Sequence, residues 1–236
     1  METIIVTSNE RGQMNLGWLQ ARYSFSFSNY YEPAKLQFGM LRVLNDDIIA
    51  PAMGFGTHPH DNMEIISIPL SGVLSHKDSM GNGDTIMVGE VQVMSAGSGL
   101  EHSEKNASTK DSVNLLQIWI LPDKKNITPV YNQKNFNWND IKNKWIYLVS
   151  NHIEAALNIN QNAQIFIANI DKGVSLSVNQ VNIEMGYFAF VINGAVNIAE
   201  QSLELRDSMK IRQADTIEIL GESDLNTILI IEVPLH

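Results

Sequence analysis

His58 and His60 stand one residue apart in GFGTHPHDNMEI (54–65), and His102 and Glu104 repeat that spacing in GLEHSEKN (99–106), in a chain with 6 histidines among 236 residues. Side chains two apart on a strand share a face. Each pair therefore presents two donor groups in one direction, and Pro59 favours the extended backbone this needs. Three imidazoles and one carboxylate make a mixed nitrogen and oxygen donor set for a divalent first-row metal. Fewer than six protein donors leave positions for water, dioxygen or a substrate oxygen. A lone H-x-H in a chain of this length is usually incidental. The second pair, just past the turn Gly97-Ser98-Gly99, turns the pattern into a candidate site. The two pairs are expected on facing walls of a barrel, converging on one cation.

Such a site has to be built by strands. MEIISIPLSG (63–72), GVLSHKD (72–78), DTIMVGEVQVM (84–94) and VNLLQIWI (113–120) alternate and branch like strands, with turns at Gly72, at Asn82-Gly83 and at 97–99. Residues 164–170, 173–178, 186–194, 215–220 and 227–233 repeat the style. The polar, Asn- and Lys-rich stretch 121–145 between them reads as a connector. No long amphipathic helix stands out, which predicts a mainly β chain.

Laying MEIISIPLSGVL (63–74) over MGYFAFVINGAV (185–196) aligns a methionine, an apolar strand and a turn glycine, Gly72 on Gly194. EVQVMSAGSG then falls near DTIEILGESD. This overlay suits two copies of one small barrel. It sets Gln180 and Asn182 in the places of His58 and His60, and offers Asp224, Asn226 and Thr227 near the counterpart of His102. The second copy is expected to keep the fold and lose the site.

Composition narrows the function. The chain is 44% hydrophobic and 18% charged, which is ordinary for a soluble globular protein, and no apolar run is long enough for a membrane span. The absence of cysteine excludes disulfides, thiolate nucleophiles and iron–sulfur clusters. Lys plus Arg number 16 against 26 Asp plus Glu, a net charge of −10, which argues against direct nucleic-acid binding. The N-terminal METIIVTSNERG lacks a secretory pattern, so a cytoplasmic location is expected. A monomer is the default expectation.

Taken together, GFGTHPHDNMEI, HKDSMGN, SAGSGLEHSE and LLQIWI with ITPVY resemble the pirin family of the cupin superfamily, and specifically its shorter bacterial members. YSFSFSNYYEP and LRVLNDD match the family's N-terminal segment. The likeness is strong over roughly 15–135 and looser beyond. It implies an all-β bicupin, two small antiparallel β-barrels in tandem. The expected division is a metal-binding domain over 1–125, a connector over 126–145 and a C-terminal cupin-like domain over 146–236. It also implies one metal held by His58, His60, His102 and Glu104. The expected metal is Fe(II), with Mn, Co, Ni, Cu and Zn compatible with the same donors. Family members act as quercetin 2,3-dioxygenases on a flavonol and dioxygen. Others are iron-dependent redox regulators that bind transcription-related proteins. Two residues depart from the family pattern. Tyr23 stands where histidine is frequent, and Asp61 follows H-P-H where a basic residue is common, which makes the pocket mouth more acidic.

In that setting a metal would acidify the flavonol hydroxyl, and Glu104 would either stay on the metal or take the proton as a general base. Met40, Phe55, Met63 and Met94 are candidates for a pocket wall, although barrel positions of this kind are more often core. His76 reads as a solvated surface histidine, with a supporting role beside the metal as the lesser alternative. His152 and His236 have no partner pattern. The four tryptophans read as packing residues. Gly54-Phe55-Gly56 and Gly97-Ser98-Gly99 complete no nucleotide-binding motif.

Overall fold

The computed structural model describes residues 1–179 and 183–236. Strands dominate the described residues, and every ladder between named strands is antiparallel. No helix among them is long and apolar enough to cross a membrane. The two expected barrels are present, each made of one large and one small sheet.

The chain opens with β1 (Glu2–Val6), β2 (Gly12–Asn15), β3 (Leu19–Tyr23), β4 (Leu41–Ile49) and β5 (Gly54–His60). It continues through β6 (Glu64–Ser71), β7 (Val73–Asp78), β8 (Gly83–Met87), β9 (Glu90–Ser95), β10 (Leu100–Asn106), β11 (Val113–Ile120) and β12 (Val130–Asn135). The first barrel joins the sheet β12-β9-β6-β11-β4-β3-β2 to the sheet β5-β10-β7-β8. The second half runs β13 (Ile146–Ser150), β14 (Gln164–Ile170), β15 (Ser175–Asn179), β16 (Met185–Asn193), β17 (Val196–Ile198), β18 (Gln201–Leu203), β19 (Ser208–Arg212), β20 (Thr216–Gly221) and β21 (Asn226–Pro234). Its sheets are β1-β19-β16-β21-β14-β13 and β15-β20-β17-β18.

The two strand orders superimpose, with β6 on β16, β11 on β21 and β10 on β20. The glycine overlay holds, since Gly72 and Gly194 close the same turn with φ of +75° and +76°. Even the bulge repeats, because Leu70 and Ile192 are each skipped in the ladder just before their glycine. The rest of the overlay needs correcting. Glu90–Ser95 answers to Ser208–Arg212, and Thr216–Gly221 answers to Leu100–Asn106. The spacing misleads there because the intervening loops differ in length. The edge strands are exchanged. β12, inside the expected connector, closes the first barrel's sheet, while β1 lies at the edge of the second barrel's sheet.

Sheet faces explain the burial. Strands β6, β9 and β11 are buried almost throughout because one face lines their barrel and the other packs on the second barrel. Leu44, Ile66 and Ile118 from the first large sheet share one apolar cluster with Ile165, Phe188 and Leu229 from the second. This common core fixes the two barrels against each other and leaves the inner face of the first free to carry polar groups.

Candidate metal centre

Strand β10 alternates buried and open residues, so His102 and Glu104 point into the barrel while Glu101 and Lys105 point out. Strand β5 is its hydrogen-bonded neighbour, and His58 lies directly across from His102. The two pairs therefore sit side by side in one sheet, not on facing walls. Adjacent antiparallel strands bring opposite side chains closer than a barrel diameter would. The register slips by one residue between His102 and Glu104, a bulge in β5 of the kind that re-aims side chains beside sites.

One donor nitrogen from each of His58, His60 and His102 lies within 4.8 Å of the others. His58 and His102 face each other through their Nε2 atoms at 3.0 Å. His58 Nδ1 donates to the Gly56 carbonyl at 2.8 Å, which leaves the neutral ring's Nε2 as a lone pair. That lone pair points at the His102 ring and calls for a proton or a cation between them. Burial and the neighbouring His58 push His60 down to about 4, and burial with the three surrounding histidines pushes His102 down to about 2. Crowded rings that resist protonation at neutral pH suit metal ligation, so the residues fit a divalent cation.

Glu104 lines the same cavity, yet both its oxygens are engaged elsewhere. Ser67 Oγ donates to Oε1 at 3.1 Å and Gln117 Nε2 donates to Oε2 at 2.7 Å. Burial pushes the carboxyl up to about 7, with these two donors pulling it back.

The cavity holds about 430 Å³. His58 and His60 close one end. Trp18, Phe27, Phe55 and Trp119 make the apolar walls, with Trp18 edge-on to Phe55 at 5.4 Å and Phe27 edge-on to Trp119 at 5.3 Å. Of the proposed wall residues only Phe55 is there. Met94 is fully buried in a small cluster on which Trp119 and Met63 pack, and Met40 packs on the core shared by the two barrels. Trp18 and Trp119 were missed as wall residues. Trp119 lies two residues beyond Gln117, on the same face, and that alternation is the signal that identifies it.

His76 is buried, not solvated. Its Nε2 lies 3.1 Å from His102 Nδ1 and its ring stacks on Tyr131 at 5.0 Å. It shares a strand face with buried Leu74 and Asp78, which the sequence alternation of VLSHKD carries. Asp78 instead accepts from the backbone of Met80 and Asn82 and so holds the following turn.

The second barrel shows what the first would be without chemistry. Gln180 and Asn182 lie outside the described residues. The ladder sets Val178 across from Ile217, in the places of His58 and His102. It sets Ile198 across from Ile219, in the places of His76 and Glu104. Asp224, Asn226 and Thr227 are not at these positions. All four replacements are buried in one apolar cluster.

A tandem of cupin-like barrels with, among the described residues, a histidine triad in the first alone defines a bicupin with one candidate metal centre. Residues 5–120 match the family model described as Pirin, and 147–233 match that of the quercetinase C-terminal cupin domain. The chain belongs to the pirin family. It is 38% identical over 227 residues to the quercetin 2,3-dioxygenase of Escherichia coli K12, covering 96% of each. It is 35% identical over 221 residues to a pirin-like protein of Caulobacter vibrioides, covering 93% of this chain and 94% of the relative. Among solved structures it matches the bacterial pirin YhhW of Escherichia coli in complex with nickel(II), with a TM-score of 0.94 at 35% identity over the whole of both chains.

Proposed function

We propose that this protein is a metal-dependent dioxygenase that cleaves a flavonol with dioxygen, in the manner of quercetin 2,3-dioxygenases. One observation carries the reading. Three imidazoles converge at the end of an aromatic-walled cavity that also holds a buried carboxylate. The names borne by relatives at 38% identity support it.

His58, His60 and His102 would hold the cation, and Glu104 would be a fourth protein donor if it left Ser67 and Gln117. The cation of this proposal is Fe(II), and Mn, Co, Ni, Cu or Zn suit the same donors. Bound there, the cation would supply Lewis acidity that lowers the pKa of a flavonol hydroxyl. Glu104 takes that hydroxyl proton onto a carboxylate oxygen, and Ser67 and Gln117 steady the carboxylate before and after. Trp18, Phe27, Phe55 and Trp119 grip the flat ring and keep bulk water off it. Ring opening then takes up dioxygen and releases carbon monoxide.

The test mixes iron-loaded protein with quercetin in air and follows near-ultraviolet absorbance and oxygen uptake. Metal-dependent loss of the flavonol absorbance together with oxygen uptake, both stopped by a chelator, is expected. Glu104→Gln should retain metal and lose at least about a hundredfold in turnover. No consumption across several flavonols would overturn the reading and favour a redox regulator that binds a transcription-related partner. Unchanged turnover in Glu104→Gln would remove the base role alone.

A further inference from the structure

The inner faces of the two large sheets differ along one rung. In the first barrel Tyr23, Asn45, Gln117, Ser67 and Gln92 pair side by side across five strands. In the second, the equivalent rung is Tyr147, Phe166, Ile230, Ala189 and Met209. Two residues along β4, Asp47 answers to Ala168. The same backbone thus accepts apolar side chains at these places, and folding does not require the polar ones.

Gln117 and Ser67 are accounted for by Glu104. Asn45 and Asp47 are not. Both line the cavity, and both are buried, at 2% and 5% exposure. The Oδ1 atom of each is buried without a hydrogen-bond partner. Trp119, in the wall beside them, has its Nε1 buried without an acceptor. Buried polar atoms left unpaired cost stability, and where they cluster in a cavity a ligand or water must complete them. The walls around them are aromatic, which suits a flat ring bearing polar substituents.

We propose that Asn45 and Asp47 are specificity-determining residues that select ring hydroxyls beyond the one held at the histidine triad, with Trp119 Nε1 donating to a ligand oxygen. The inference rests on the cavity being a substrate site. Asn45 and Asp47 lie on the same face of β4, two residues apart, and so offer two adjacent contacts to one ring edge. Burial, with Asp46 and Glu104 nearby, pushes Asp47 up to about 8, so its carboxyl can also donate at neutral pH.

Two flavonols separate this selection from metal contact. 3-Hydroxyflavone and quercetin share the hydroxyl beside the carbonyl, and only quercetin carries further ring hydroxyls. Their affinities are measured by tryptophan fluorescence quenching on zinc-loaded, full-length protein without oxygen. The wild type should bind quercetin about tenfold more tightly than 3-hydroxyflavone. Asp47→Ala and Asn45→Leu should bring that ratio towards one while leaving metal content and 3-hydroxyflavone affinity unchanged. Asp47→Asn, which can still accept and donate, should keep the ratio. A ratio that survives in both Asp47→Ala and Asn45→Leu overturns the proposal, as does a wild type that fails to discriminate. Discrimination without oxygen uptake by the iron-loaded protein would instead sink the dioxygenase reading and leave the selection standing.

Discussion

His102 stands directly across from His58 on the neighbouring strand, and their Nε2 atoms face each other at 3.0 Å. His58 donates its Nδ1–H to the Gly56 carbonyl, so in the neutral ring its inner nitrogen is a lone pair. His102→Ala removes one of three convergent donors and the one most deeply buried. Metal content of protein purified without added metal should fall from about one equivalent per chain to near zero, because two imidazoles bind far more weakly than three. Elemental analysis reads this directly. Retention of a full equivalent would place the metal elsewhere.

His76→Ile installs the residue that the second barrel uses at the same place, Ile198. The fold already accommodates it there. The lost contact is Nε2 of His76 against Nδ1 of His102, which fixes the orientation of the ligand ring. Removing such a supporting partner typically costs about 10–100-fold in metal affinity. Competition against a chelating dye should show that loss, with unfolding midpoints of the metal-free protein nearly unchanged.

The double barrel and the histidine triad were legible for different reasons. H-x-H and H-x-E announce themselves because i, i+2 spacing on a strand leaves few other reasons to gather imidazoles. Asn45, Asp47 and His76 were not legible, because Asn and Asp are common in turns and a lone histidine is common on surfaces. Only the ladder shows that they sit on inward faces. The span 84–94 read as one strand, yet Gly89 at φ +93° breaks it into β8 and β9. Strand β12 was hidden in an Asn- and Lys-rich segment because an edge strand, paired on one side, tolerates polar residues on both faces. Strand exchange between the barrels has no local sequence signal at all.

Gly72 and Gly194 allow a sharper test of the repeat. A methyl at Gly72 would meet the Ser112 carbonyl oxygen at 2.8 Å, and one at Gly194 would meet the Leu225 carbonyl oxygen at 2.1 Å. Both glycines also hold a positive φ that an L side chain adopts only with strain. Gly72→Ala and Gly194→Ala should each lower unfolding free energy by about 1–3 kcal/mol. Gly194→Ala should cost more, since its backbone clash is closer. Urea denaturation of the metal-free protein measures both. Equal and negligible effects would mean that the turn relaxes freely.

Asp47 should tie stability to pH. Its carboxyl moves from the ordinary 3.8 to about 8, chiefly through burial. Between those values the folded chain holds a proton that the unfolded chain has released, so unfolding free energy falls as pH rises through that window. Below about pH 6.5 the effect is opposed by His60 and His102, whose folded values of about 4 and about 2 make acid destabilising. The carboxyl contribution is therefore cleanest from about pH 6.5 to about pH 8. There each unshared proton is worth at most about 1.4 kcal/mol per pH unit. Glu104, raised to about 7, adds a decline of the same sign at the lower end. In chelator-treated protein Asp47→Asn should flatten the fall near pH 8 and raise stability there above wild type, since an amide carries no charge to bury. An unchanged slope would show that Asp47 is solvated and ionised in the folded protein.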